Sequence, residues 1–228
     1  MIEIKSKFYG GMGLLAAFVI VLIAIFLPLF NGQNGLNYLD SLFNSIAKGS
    51  AYYIPRVMEE ADAFNGNTIN LTLGMATEEQ AEQSALLFTK SGAKVNASGK
   101  ELKISGDLGQ ILTNSLTDAE KMFHNDGMAV SEKYGYDQSR VLFNWWMSFK
   151  IMENELKAQK KFKEANVVAL VVKKAIEVAF NFYGIEPQNI RDKFGIVTFS
   201  LAFYVLYTLW YGFAILFMFE GWGLKLEH

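Results

Sequence analysis

Glu120 and His124 stand four residues apart, the spacing that sets a carboxylate and an imidazole on one helix face. With Asp118 and Asp126 close by, such a pair can grip zinc or copper. Zinc sites usually recruit three or four protein ligands, however. The only other histidine is His228, in Leu226-Glu227-His228, which looks like the start of a vector-encoded tag. A surface ion pair or helix cap is therefore expected, with no metal and no cofactor. A hydrolytic triad built on His124 would need a nucleophile-elbow sequence, and none accompanies it. Nothing points to an enzyme of paired carboxylates either, so the chain reads as non-catalytic.

Hydroxyls form the next constellation. At about 100° per residue, Ser200, Tyr204, Tyr207, Thr208 and Tyr211 fall within about 50° either side of one direction. Thr198 points elsewhere. They lie in a long apolar run, where lipid offers no hydrogen-bond partner, so this stripe should face protein or water. In a second apolar run, Gly10, Gly13, Ala17 and Ala24 repeat at spacings of 3, 4 and 7. Small residues so placed let two helix backbones approach closely, within the chain or between copies. The alternative use of the hydroxyl stripe is the lining of a pore made by several copies.

Trp145 and Trp146 are the centre of the densest aromatic cluster outside the apolar runs, Leu142 to Phe149. Adjacent residues on a helix diverge by about 100°, so both rings are buried only where two surfaces converge. Core packing with membrane-interface contact, a partner-binding surface, for which Trp is enriched, and a ligand pocket are the competing readings. Lys157, Lys160, Lys161 and Lys163 are interleaved with Glu153, Glu155 and Glu164, which is the pattern of a solvated helix face.

The elements that carry these residues are read from the hydropathy. Gly10 to Phe30 and Phe194 to Phe219 contain no formal charge, and about 20 apolar residues suffice to cross a ~30 Å hydrocarbon core. The first run is too long for a secretory h-region and has no small-residue cleavage site. Of 21 Lys and Arg and 23 Asp and Glu, all but Glu3, Lys5, Lys7, Glu220, Lys225 and Glu227 lie between the runs. That near-neutral stretch has no basic field for a phosphate backbone, so nucleic acid is not an expected partner. There is no cysteine, which excludes disulfides, thiolate zinc, iron–sulfur clusters and covalent c-type haem.

The expected class is an α+β membrane protein: two transmembrane helices, 10–30 and 194–219, flanking a largely helical extracytoplasmic domain, 31–193. Lys5 and Lys7 in the 1–9 tail place both termini in the cytoplasm by the positive-inside bias, with 220–228 as the second tail. In a Gram-negative cell that means the inner membrane and the periplasm.

Within 31–193, Leu36, Leu39, Phe43 and Ile46 mark a short amphipathic helix broken at Lys48-Gly49-Ser50, and a second helix starts near Pro55. Residues 66–126 form a β-α-β-β-α unit. Ile69 to Leu73 alternates as a strand, Thr77 to Gln80 is a capping box, and Ser98-Gly99 turns a hairpin. Asp107 caps a helix that ends at Asn125-Asp126-Gly127. This element order resembles, in topology alone, part of a ferredoxin-like or ring-building sandwich of the sort found in secretion assemblies. Likeness of fold does not carry function. Residues 137–183 read as one long helix or an antiparallel pair, the rod being preferred, with Gly184 as the stop.

The functional expectation is a non-catalytic subunit that oligomerises or scaffolds a larger envelope complex, its partners being the bilayer, further copies and other subunits. A two-span oligomeric channel is the alternative, and a tethered ligand-binding or enzymatic domain the third.

Overall fold

Both apolar runs are helical, but their ends differ from the hydropathy boundaries. In the computed structural model, which describes residues 2–224, the elements run α1 (Lys5–Phe26), α2 (Gly35–Ser50), α3 (Ile54–Asp62), β1 (Thr68–Gly74), α4 (Glu78–Lys90), β2 (Lys94–Ser98), β3 (Glu101–Asp107), α5 (Leu108–Phe123), α6 (Gly127–Tyr134), α7 (Gln138–Ala158), α8 (Phe162–Val171), a π-helical turn (Val172–Ile176), α9 (Glu177–Phe182) and α10 (Ile190–Gly221). The Leu226–His228 stretch lies outside the described residues. The chain is thus a mostly helical α+β protein with a three-stranded sheet. It divides into a helical unit of residues 1–49 with 186–228 and an α+β unit of residues 50–185.

In the helical unit, α1 and α10 are each long and apolar enough to cross a membrane, with mean hydropathy 2.4 and 1.8 over their most apolar windows. Only 6% of each window is buried, unlike the core helix of a soluble fold. Over the expected 10–30 span, the helix α1 starts at Lys5 and stops at Phe26. Pro28 is the cause, because its ring disfavours helical backbone in the residue before it. Leu27 is accordingly extended, with ψ 147°. At the second run α10 extends past the 194–219 limits at both ends, starting where the Asn189 side chain accepts from the Arg191 amide.

The helix after α1 also departs from expectation. Its turns continue through Lys48 and Gly49 to Ser50, and its covered face is Gly35, Leu42, Ser45 and Lys48. Leu36 and Phe43, two of the four apolar positions that mark this helix, are exposed. The segment before α10 is what covers the other face: the Gln188 amide donates to the Ser45 carbonyl at 3.0 Å. Lys48 is fully buried there. Burial holds its ammonium below the ordinary lysine range, and the Glu186 carboxylate opposes that shift.

In the α+β unit the sheet is antiparallel with order β1-β3-β2. The period-2 pattern turns Ile69, Leu71, Leu73, Leu102 and Ile104 into one core. Thr77 caps α4 through the Gln80 amide at 3.1 Å, while the Gln80 side chain accepts from Ala76 rather than Thr77. Asp107 caps α5 through the Gln110 amide and also receives the Gly66 amide. Asn125 adopts φ 64° at the end of α5, and its side chain accepts from the Gly184 amide. The α6 helix has no counterpart in the sequence reading. It is only eight residues long and begins at the glycine taken as a stop.

Residues 137–183 do not form a rod. The chain reverses between α7 and α8 and packs them as an antiparallel pair within one core. The reversal is a complete left-handed helix stop: Lys160 has φ 62°, its amide donates to Lys157, and the Lys161 amide reaches Leu156. Closing the pair buries Phe149, Met152, Leu156, Ala165 and Val168, apolar surface that a rod would leave in water. A non-glycine residue at such a position carries a steric penalty. Replacing Lys160 with Gly should therefore stabilise the protein by about 1 kcal/mol. A thermal melt of the full chain tests this, and an unchanged or lower midpoint would contradict the left-handed stop.

Candidate functional site

The hydroxyl stripe of α10 divides between two environments. α1 and α10 pack antiparallel, and Tyr207 lies against Phe18 with ring centroids 4.2 Å apart, its hydroxyl donating to the Phe18 carbonyl at 3.0 Å. One turn along, Trp210 Nε1 donates to the Leu14 carbonyl at 3.1 Å. Ser200 is nearly buried and donates to Val197 within its own helix. Tyr211 rests its ring near Phe18 but is half exposed. Tyr204 and Thr208 are exposed, and the Thr208 hydroxyl donates to the Tyr204 carbonyl one turn back. Five residues spread over about 100° are too wide a stripe for one neighbouring helix to cover.

The face of α1 that meets α10 lies one residue along from the small-residue seam. A Cβ on Gly11 would stand 2.7 Å from the Met218 nitrogen and 2.8 Å from the Ala214 carbonyl oxygen. Across the pair, a Cβ on Gly221 would meet the Phe8 backbone. Gly10 and Gly13, in contrast, have nothing within 4 Å of a Cβ, and Ala17 and Ala24 are half-buried. The face that packs on α10 runs through Gly11, Leu14 and Phe18, because that register brings the donors of Tyr207 and Trp210 onto α1 carbonyls. The Gly10-Gly11 doublet was the signal available in sequence, and it offered two faces. At the ends of the two helices Lys7 and Glu220 pair at 2.7 Å, both well exposed.

The adjacent tryptophans part company in the α+β unit. Trp145 is fully buried between Phe88 and Phe149 and presents no surface, so as a partner-binding residue it is ruled out by its burial. Trp146 is half-buried on the opposite side. It lines a groove of about 350 Å³ with Leu142, Phe143, Ile176, Glu177 and Phe180. Its Nε1 donates to Glu177 Oε1 at 2.8 Å, and its ring stacks beside Phe143. Phe143 and Phe180 are both exposed. Sequence alone did not pair Trp146 with Glu177, since that pairing depends on the reversal at Lys160.

Glu120 and His124 both meet Tyr52. Glu120 Oε1 accepts from the Tyr52 hydroxyl at 2.5 Å, and this bond is the main cause that pushes the Tyr52 phenol up to about 12. His124 is the C-terminal cap of α5, with its ring edge-on to Tyr52 and Phe123. Among the described residues no three His, Asp or Glu side chains come together as a metal site would require.

Asp118, a sequence neighbour of that pair, anchors a buried polar cluster. Its carboxylate is fully buried and accepts from Tyr134 at 2.6 Å, Lys133 at 2.7 Å and Trp145 Nε1 at 2.9 Å. Asn114 links the cluster outward, accepting from Lys133 and donating to Ser91 and to the Tyr134 hydroxyl. Burial, and then the Asp118 charge, push the Tyr134 phenol far above its ordinary value. Burial also pushes Tyr136 up to about 12. Three strong donors hold the carboxylate, so its chemistry here is structural: it fixes α5 against α6 and α7. An acidic residue on the apolar face of α5 was the signal available.

Comparison with family models, with curated proteins and with solved structures finds no match for this chain.

Proposed function

We propose that the chain is a non-catalytic, membrane-anchored subunit that holds a larger complex together. In this reading α1 and α10 form a two-span hairpin in the inner membrane. The α+β unit lies on the extracytoplasmic side and offers the Trp146 groove to a partner. The observation that carries the proposal is the exposure of α1 and α10, whose most apolar windows are 6% buried. So much apolar helix surface needs a bilayer or further protein around it. The Lys7–Glu220 pair supports a common side for both tails, and Lys5 and Lys7 favour the cytoplasm for that side. The pore alternative has less support, because Tyr207 and Trp210 direct their donors at α1. Tyr204 and Thr208 remain as a lining only on the flank of α10.

Native membranes test this reading directly. The protein should stay in the pellet after alkaline carbonate washing, and mild detergent should extract it as a defined oligomer or with a constant partner. Trp146→Ala should remove that partner, or weaken its binding about thirtyfold, since truncating an aromatic hot spot costs about 2 kcal/mol or more. A carbonate-soluble protein, or a lone monomer from fresh membranes, would end the proposal.

A further inference from the structure

We propose that the groove between α7 and the π-turn–α9 segment docks a partner-protein segment bearing one cationic side chain between apolar residues. The inference rests on the scaffold reading above and supplies the chemistry of its partner. Glu177 is the reason. Its Oε1 is held by Trp146 Nε1 at 2.8 Å. Among the described residues Glu177 makes no ion pair within 4.0 Å. The carboxylate sits half-buried among Leu142, Phe143, Trp146, Ile176 and Phe180. A charge so placed is poorly solvated, and a guanidinium or ammonium brought to it gains more than it would in water.

The backbone geometry is specific to this spot. Val172–Ile176 form a π-helical turn, which inserts an extra residue and rotates the downstream α9 by about 100° relative to a continuous α-helix. That rotation is what turns Glu177 and Phe180 toward α7. π-turns of this kind concentrate at functional sites.

Charge around the rim narrows the partner further. Arg140 lies 5.2 Å from the Phe143 ring centroid and donates to Gln83, and Lys150 lies 5.9 Å from the Trp146 ring. Lys173 is exposed on the π-turn. These cations disfavour a run of basic residues. The fitting segment carries a single cation for Glu177, apolar side chains for Phe143 and Phe180, and neutral or acidic flanks. At about 350 Å³ the groove is at the small end of ligand sites, suited to a few side chains.

The test uses the full-length protein in detergent micelles and two peptides: acetyl-Leu-Arg-Leu-Glu-amide and the same peptide with citrulline, a neutral isostere, in place of arginine. Binding is read from the indole N–H resonance of Trp146, assigned through Trp146→Phe. The arginine peptide should shift that resonance and bind about tenfold more tightly than the citrulline peptide. Glu177→Gln, with its fold checked by circular dichroism, should abolish the difference. Equal binding of the two peptides, a preference that survives in Glu177→Gln, or no shift at all would overturn the inference. The membrane pull-down keeps the two proposals separable. A partner lost in Trp146→Ala but retained in Glu177→Gln leaves the scaffold standing and overturns only the cationic chemistry.

Discussion

Asp118→Ala is expected to cost about 3–5 kcal/mol, a large part of the stability of a domain this size. The carboxylate is fully buried and is the shared acceptor for Tyr134, Lys133 and Trp145. Removing it strands two neutral donors in the core and leaves the Lys133 ammonium, only partly exposed, with Asn114 but without its charge partner. An unsatisfied buried donor loses its full solvation, whereas the bond itself contributes only about 1 kcal/mol net, so the stranded groups dominate. Asp118→Asn keeps an acceptor for one or two donors and should cost less. Glu132→Ala, an exposed change on α6 beside Lys133, should stay within about 0.5 kcal/mol. Denaturant unfolding followed by near-ultraviolet circular dichroism measures all three, since Trp145 reports from inside the cluster. A loss below about 1 kcal/mol in Asp118→Ala would mean that the carboxylate does not hold these donors together.

The second large effect concerns the close approach of α1 and α10. Gly11→Leu places a side chain where even a Cβ meets Met218 and Ala214 backbone atoms. Backbone cannot move aside as a side-chain tip can, so the helices must separate or shift, at about 1–3 kcal/mol or more. Gly10→Leu and Gly13→Leu enter open space and should leave the pair intact. The absence of cysteine makes the measurement clean. Lys7→Cys and Glu220→Cys together, at the site of the 2.7 Å ion pair, should join efficiently with a short bis-maleimide. Adding Gly11→Leu should reduce that yield about tenfold. A Gly11→Leu protein that cross-links like its parent would show that α1 meets α10 through some other face. Loss of cross-linking in Gly10→Leu would instead restore the seam expected from the four small residues.

Both results turn on features that the amino-acid order does not display by itself. Asp118 is one of two acidic residues on its helix, and Gly11 is one of a pair. What distinguishes them is the surface each happens to meet. Lys48 illustrates the same point in the helical unit, where a lysine taken as part of a helix break is buried against the segment before α10.

Sequence by itself determined the elements whose causes are local. Uninterrupted apolar composition makes α1 and α10 helical, alternation makes β1 and β3 one-sided, and Thr77 and Asp107 cap the helices that begin just after them. Each of these depends on neighbours within a few positions, where backbone sterics and hydrogen-bonding reach are decisive. Tertiary structure alone decided the reversal at Lys160, where burial of a shared apolar face outweighs the strain of a left-handed lysine. It also chose Gly11 over Gly10, sent Trp145 inward and Trp146 to a groove, and gathered Tyr134, Lys133 and Trp145 around Asp118. These outcomes join residues far apart in the chain. They were set by which surfaces exclude water together, and no local rule encodes that.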